Sequence, residues 1–123
     1  MEADPELTKA FQELQAKKVE AVQHLDSLDA KIAGTARAVK ISELTLAEVA
    51  QQDASAKLYR NVGRAYFLSS KDKMEDLFRS KVTRLSENIR NFNDSKVAIN
   101  NELKEAENSI RELITKKRQG PSS

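Results

Sequence analysis

The feature that most constrains this chain is a pair of apolar stripes whose members recur at alternating steps of four and three residues. Such steps keep one side of a helix against a partner helix and are typical of left-handed coiled coils. Eight of ten positions are apolar in the first stripe and ten of twelve in the second. The first stripe runs through Leu7, Phe11, Leu14, Lys18, Ala21, Leu25, Leu28, Ile32, Thr35 and Val39. The second runs through Phe78, Val82, Leu85, Ile89, Phe92, Lys96, Ile99, Leu103, Ala106, Ile110, Leu113 and Lys117.

Proline placement sets the outer limits of the two helices. Asp4-Pro5 has the composition of a helix start, with Asp4 as the N-cap, and Gly120-Pro121 has that of a stop. Between them no proline interrupts the chain. We predict one domain over residues 1–123, with a first coiled-coil helix at about 5–43, a middle region at about 44–70, a second coiled-coil helix at about 71–118 and a tail at 119–123.

Three residues inside the predicted helices are unusual for a coiled coil. Lys18 and Lys96 interrupt the stripes, and each either fixes the register of the helices or extends its long stem to water. Gly34 costs about 1 kcal/mol relative to Ala within a helix. It marks either a local bend or a neutral position.

The middle region departs from the coiled-coil pattern. Thr45 to Glu48 form a capping-box sequence, which predicts a short helix or a restart, and Ser69 to Asp72 form a second one that opens the second helix. Aromatic and branched residues around Gly63 predict a small β-hairpin. An isolated hairpin is only marginally stable and exposes its edges, so we expect several hairpins to assemble. The assembly residues are expected to be Leu58, Val62, Tyr66, Phe67 and Leu68, unless these pack only on their own helices.

Composition narrows the class of protein. A third of the residues are charged, six are aromatic and none is Trp, which suits long helices with a narrow apolar seam. With 21 basic and 19 acidic residues the chain lacks the lopsided charge of a nucleic-acid binder. It has no cysteine and no apolar run of about 18 residues. Its first 20 residues also lack the apolar segment preceded by basic residues that is typical of a signal peptide. We therefore expect a soluble, cytoplasmic chain without a membrane segment or a signal peptide.

Catalytic chemistry has no support in the sequence. His24 is the single histidine, and a solvated helix residue is the simpler interpretation of it. Three widely separated glycines do not build a phosphate-binding loop, and no His or Cys cluster offers metal ligands. We predict a protein that is not an enzyme and that has no catalytic, cofactor-binding or metal-binding residues.

Three segments together resemble a known family. These are Phe11 to Lys17, a central set running from Leu44-Thr45 through Tyr59, Val62-Gly63-Arg64 and Leu68-x-Ser70-Lys71, and Lys104 to Glu112. In order and spacing they resemble the beta-type subunits of the eukaryotic prefoldin family, and the similarity extends from about Leu7 to Arg118. The family's fold is mainly α: a long antiparallel two-helix coiled coil joined by a small β-hairpin.

The resemblance implies a function in protein folding. Prefoldin is a six-subunit, ATP-independent co-chaperone of two alpha-type and four beta-type subunits, whose hairpins form a barrel platform. The tips of its coiled coils hold unfolded clients such as actin and tubulin and deliver them to the cytosolic chaperonin. The implied partners are therefore other prefoldin subunits, unfolded clients and the chaperonin, with no nucleic acid and no membrane.

The helix ends are the expected contacts with clients, because frayed coiled-coil ends uncover their own seam. Ile114 is apolar but lies off the seam, so client contact and simple packing remain alternatives for it. The basic residues at 116–118 either stabilise the helix dipole or contact an acidic chaperonin surface. The expected client-binding residues are Leu7, Phe11, Leu14, Ile110, Leu113 and Ile114.

The alternative to a co-chaperone is a structural coiled coil, such as a tether or scaffold subunit. Residues 57–68 would then be an incidental break between two helices. A tether is expected to tolerate polar substitutions in that break, whereas Phe67→Asp is expected to disrupt an assembly that depends on the hairpin.

Overall fold

The structure, a computed structural model, is mainly helical and describes residues 4–55, 58–62 and 65–119. Its elements are α1 (Pro5–Ala50), β1 (Leu58–Val62), β2 (Ala65–Ser69) and α2 (Lys71–Arg118). Gly63, the predicted stop at Gly120-Pro121 and all of the predicted tail except Gln119 lie outside the described residues. The chain divides into two compact units, which we call unit 1 (Met1–Ala30 with Asn93–Ser123) and unit 2 (Lys31–Phe92).

Both helices begin with a side-chain cap, at the predicted Asp4 for α1 and, for α2, at Ser70, the second residue of the predicted capping box. The Asp4 carboxylate oxygen Oδ1 accepts hydrogen bonds from the backbone N–H groups of Glu6, at 2.9 Å, and Leu7, at 3.4 Å. Ser70 Oγ accepts one from the backbone N–H of Lys73 at 3.3 Å. These contacts satisfy N–H groups that have no partner within the helix, and each such cap stabilises a helix by about 1 kcal/mol.

The predicted end of the first helix near residue 43 is wrong, because α1 continues to Ala50. The stripe of alternating steps continues past Val39 through Ser42, Leu46 and Val49, all buried or half-buried. The predicted restart at Thr45 does not occur either. The Thr45 hydroxyl instead donates to the carbonyl of Ile41 at 2.9 Å, which is a bond made by a residue inside a helix.

Unit 1 packs the first half of α1 against the second half of α2 in antiparallel fashion. Ion pairs between the helices define this direction: Lys18 Nζ lies 3.5 Å from Glu107 Oε1, and Lys96 Nζ pairs with Asp29. The partner numbers on α2 rise as those on α1 fall, as antiparallel helices require. The core along the seam includes Ala21, Leu28 and Ile110.

Both seam lysines form ion pairs between the helices. Each is half-buried, so its aliphatic stem covers the seam, while its ammonium group leaves the seam to pair with an acid of the other helix. Such pairs specify which residues stand opposite each other.

Unit 2 contains the rest of both helices and the two strands. β1 and β2 pair antiparallel, with Leu58 opposite Ser69 and Val62 opposite Ala65. The seam of the second stripe is half-buried at every position from Phe78 to Phe92, as predicted. Val49 of α1 and Met74 of α2 are buried in this unit.

Gly34→Ala is expected to stabilise the chain by about 1 kcal/mol, because alanine loses less backbone entropy on helix formation. Gly34 lies on the exposed surface of α1, and a Cβ atom there meets no atom within 4 Å. The measurement is the urea midpoint of unfolding of the purified chain, with helix content monitored by circular dichroism. Ala33→Gly at the neighbouring exposed position is the control and should lower the midpoint similarly; a destabilised Gly34→Ala would contradict the prediction.

Candidate functional site

The end of unit 1 where α1 begins and α2 ends carries most of the predicted binding residues, and we call it the terminal end. An ion-pair cluster joins the two helices there. Lys117 Nζ lies 2.7 Å from Asp4 Oδ2 and 2.9 Å from Glu6 Oε2. Because Asp4 also caps α1, one carboxylate both starts the first helix and contacts the last turn of the second.

The charges in this cluster stabilise one another. The hydrogen bond from Lys117 holds the pKa of Asp4 below its ordinary value, and the backbone N–H groups of Leu7 and Glu6 act in the same direction. The hydrogen bonds to Asp4 and then Glu6 raise the pKa of Lys117. Asp4 and Lys117 are therefore both charged at neutral pH. Lys117 thus contributes to pairing of the helices, a contact that the basic run at 116–118 did not reveal.

Beside this cluster lies an open groove with a volume of about 580 Å³. Its apolar floor consists of Leu14 from α1 and Ile110 and Leu113 from α2. Small residues leave the space open above the floor, and charged residues of α1 line one edge. The small residues are Ala10, Ala16, Ala106 and Ser109, and the charged ones are Glu13, Lys17 and Glu20.

The six predicted client-binding residues all belong to the terminal end, but the groove brings only Leu14, Ile110 and Leu113 together. Leu7 is half-buried on the seam and does not line the groove. Phe11 keeps the phase of the seam, yet 48% of its surface is exposed. Ile114 is half-buried off the seam, as the sequence indicates. An incompletely covered ring at Phe11 is the largest apolar group available for contact here.

Sequence reasoning missed the small residues that open the groove. Ala10 and Ser109 stand next to the seam, where nothing in the heptad pattern marks them, and Ala106 is a predicted stripe position whose small size the pattern does not use. The available signal was the small size of residues flanking Leu14 and Ile110, which leaves the seam uncovered at this point. Elsewhere in the stripes the same positions carry longer side chains, for example Lys17 and Glu102.

The predicted assembly residues lie in the paired strands. Leu58 begins β1 and is half-buried. Val62 is opposite Ala65, Tyr66 is opposite Asn61, Phe67 is opposite Arg60, and Leu68 is opposite Tyr59. The side chains of these four assembly residues lie outside the described part of the structure, so the assembly role stays a prediction.

No other kind of site is evident in the described residues. A second, smaller groove of about 210 Å³ is lined by Lys17, His24, Ile99 and Leu103 among others, and His24 is exposed as predicted. Over residues 4–55, 58–62 and 65–119, no group of three His, Cys, Asp or Glu side chains has the arrangement of a metal site. Within the same ranges, neither helix is long and apolar enough to cross a membrane.

Comparison with known proteins identifies the family. The family model described as prefoldin subunit matches residues 12–117. Prefoldin subunit 1 of Tetraodon nigroviridis and that of Homo sapiens are each 33% identical over 115 residues, covering 94% of both chains. The probable prefoldin subunit 1 of Caenorhabditis elegans is 30% identical and covers 94% of this chain and 99% of its own.

A solved structure shows that the fold agrees. The crystal structure of the prefoldin beta subunit from Thermococcus strain KS-1 matches with a TM-score of 0.71 at 18% identity, covering 91% of this chain and 95% of that chain. Seam phase, fold and sequence similarity over nearly the whole length lead to the same conclusion. The chain belongs to the prefoldin family of co-chaperone subunits.

Proposed function

We propose that this chain is a beta-type subunit of a cytoplasmic hexamer that captures unfolded proteins without ATP and transfers them to the cytosolic chaperonin. It acts by binding rather than by catalysis, and its clients are of the actin and tubulin type. The observation that carries the proposal is the apolar groove at the terminal end, where the seam between the helices is incompletely covered.

The groove suits a ligand without a fixed sequence. Its volume of about 580 Å³ lies in the range of ordinary ligand clefts, roughly 300–1,000 Å³, but it is open and has an apolar floor. Unfolded chains expose apolar side chains in varied order, and open apolar surfaces accept many of them. Leu14 and Leu113, both half-buried, offer such a surface above the buried Ile110, and the exposed ring of Phe11 adds to it.

Local opening of the helix ends enlarges the same apolar surface. Terminal turns open at low free energy, because few buried contacts hold them. When the first turn of α1 separates from the last turns of α2, Leu7 and Ile114 become accessible as well. Ion pairs near the surface, such as the half-buried Lys117 with Asp4, contribute little to stability, so they permit this opening.

The paired strands are the proposed site of assembly. A two-stranded sheet has two unpaired edges and is marginally stable alone. Strands of neighbouring prefoldin subunits, alpha-type and beta-type, complete these edges. The proposed contact residues are Leu58, Val62, Tyr66, Phe67 and Leu68.

Replacing Ile110, Leu113 and Ile114 together with serine is expected to lower client capture about tenfold or more, because three large apolar contacts are lost. The hexamer should still form, because the strands are unchanged. The measurement is suppression of aggregation of actin diluted from guanidinium chloride, with the hexamer mass determined by light scattering.

Leu85→Ser combined with Ile89→Ser is the matched control, since it removes seam residues of α2 that belong to unit 2. It should lower stability but retain capture at a temperature where the hexamer is intact. Equal capture by the triple variant and the native hexamer would remove the groove as the client site. A stable dimer of this chain that ignores alpha-type subunits would favour a tether instead.

A further inference from the structure

Two large aliphatic side chains of unit 2 are more than half exposed to water. Ile41 is 59% exposed and Leu44 is 55% exposed. Both lie in the last turns of α1, three residues apart, and side chains with that spacing share one side of a helix. Since the seam there consists of Val39, Ser42 and Leu46, this side faces away from the seam.

Charged residues flank the pair along the same side of the helix. Arg37 precedes Ile41 by four residues and Glu48 follows Leu44 by four, and both are exposed. An apolar centre with a polar rim is the usual composition of a contact surface between proteins. Two large aliphatic groups in water also carry a penalty of about 25 cal/mol per Å² that a partner would remove.

The size of the hairpin explains why further surface is needed. Two strands of five residues, each about 17 Å long and about 5 Å apart, offer roughly 170 Å² on each side of the sheet. A stable contact buries about 800 Å² on each partner. The strands alone fall short of that area. Leu44 lies six residues before the end of α1, a helical rise of about 9 Å, and belongs to the same compact unit as the strands.

We propose that Ile41 and Leu44 form a subunit contact that an apolar surface of a neighbouring prefoldin subunit covers in the hexamer. This contact rests on the proposed assembly through the strands and enlarges it onto the outer side of α1. Neither residue belongs to the seam, and both lie in the unit that contains the strands, unlike the exposed Val19 and Val22 of unit 1.

The test is the double variant Ile41→Ser with Leu44→Ser, co-expressed with the other subunits of the complex. The purified chain alone should keep its helix content and urea midpoint, because both side chains are exposed in it. The hexamer that contains the double variant should dissociate at a protein concentration about tenfold higher than the native hexamer does. Light scattering measures the mass of each hexamer during dilution. Val19→Ser with Val22→Ser, two exposed positions of α1 in unit 1, is the matched control and should leave dissociation unchanged.

An unchanged dissociation concentration for the Ile41 and Leu44 variant would overturn the inference, and so would equal weakening by the control. Phe67→Asp separates this outcome from failure of the assembly proposal itself. If Phe67→Asp prevents hexamer formation while the double variant has no effect, only the helix contact is excluded. If neither change affects the hexamer, assembly through the strands is excluded as well.

Discussion

Ser42→Glu is expected to destabilise the chain by about 3–5 kcal/mol, the effect of leaving a charge buried without a partner. Ser42 is 1% exposed, the most completely buried polar residue described, and lies on the seam between Val39 and Leu46. A carboxylate there either loses its hydration or forces α1 away from its packing. The measurement is urea unfolding of the purified chain, monitored by circular dichroism.

Two further variants separate burial from the other properties of glutamate. Ser86→Glu places the same residue on the exposed surface of α2 in the same unit and should change stability by less than about 0.5 kcal/mol. Ser42→Ala keeps the position small and should stay within about 1 kcal/mol of the native chain. If the Ser42→Glu variant unfolds at the same urea concentration as the native chain, α1 is not packed on a partner at this turn.

The same residue explains the principal error in the sequence-based prediction of the fold. The predicted stripe ends at Val39, and the next position at the same spacing, Ser42, carries a hydroxyl instead of an apolar side chain. Seam phase is geometric, however, and a small polar side chain can occupy a tight position without changing it. The step of three to Ser42 and of four to Leu46 preserves the period, so α1 continues to Ala50.

The remaining parts of the fold follow from local chemistry that is readable in the sequence. Asp4 caps α1 as predicted, Ser70 caps α2 within the predicted Ser69 to Asp72 segment, and every predicted position of the second stripe is buried or half-buried. These features depend on neighbours along one helix or on a single period. The sequence alone therefore predicts the caps and the side of each helix that is buried.

The candidate site was only partly predictable, because it depends on residues from two helices at once. A seam is predicted to be covered along its whole length, and only the joint small size of Ala10 and Ser109 uncovers it beside Leu14. Which α1 turn meets which α2 turn is set by the register between the helices. The stripes do not contain that register, whereas the ion pairs of Lys18 and Lys96 do.

Reversing both seam lysines, Lys18→Glu with Lys96→Glu, is expected to destabilise the chain by about 2–3 kcal/mol. Each change removes an ion pair with Glu107 or Asp29 and leaves two carboxylates facing each other. Glutamate also has a shorter stem than lysine, so its charge reaches water less easily from a seam position. Urea unfolding of the purified chain measures the loss, and low salt should enlarge it because exposed charges are then less screened.

A charge swap tests whether the loss comes from these two contacts. Adding Asp29→Lys and Glu107→Lys to the double variant restores opposite charges across both contacts and should recover most of the lost stability. Lys81→Glu with Lys104→Glu alters the net charge equally at exposed positions of α2 and should have a much smaller effect. Recovery would establish that Lys18 pairs with Glu107 and Lys96 with Asp29 in solution. These pairs would then hold the groove residues of the two helices opposite one another. A swap that remains as unstable as the double variant would show that these positions only cover the seam and that another feature sets the register.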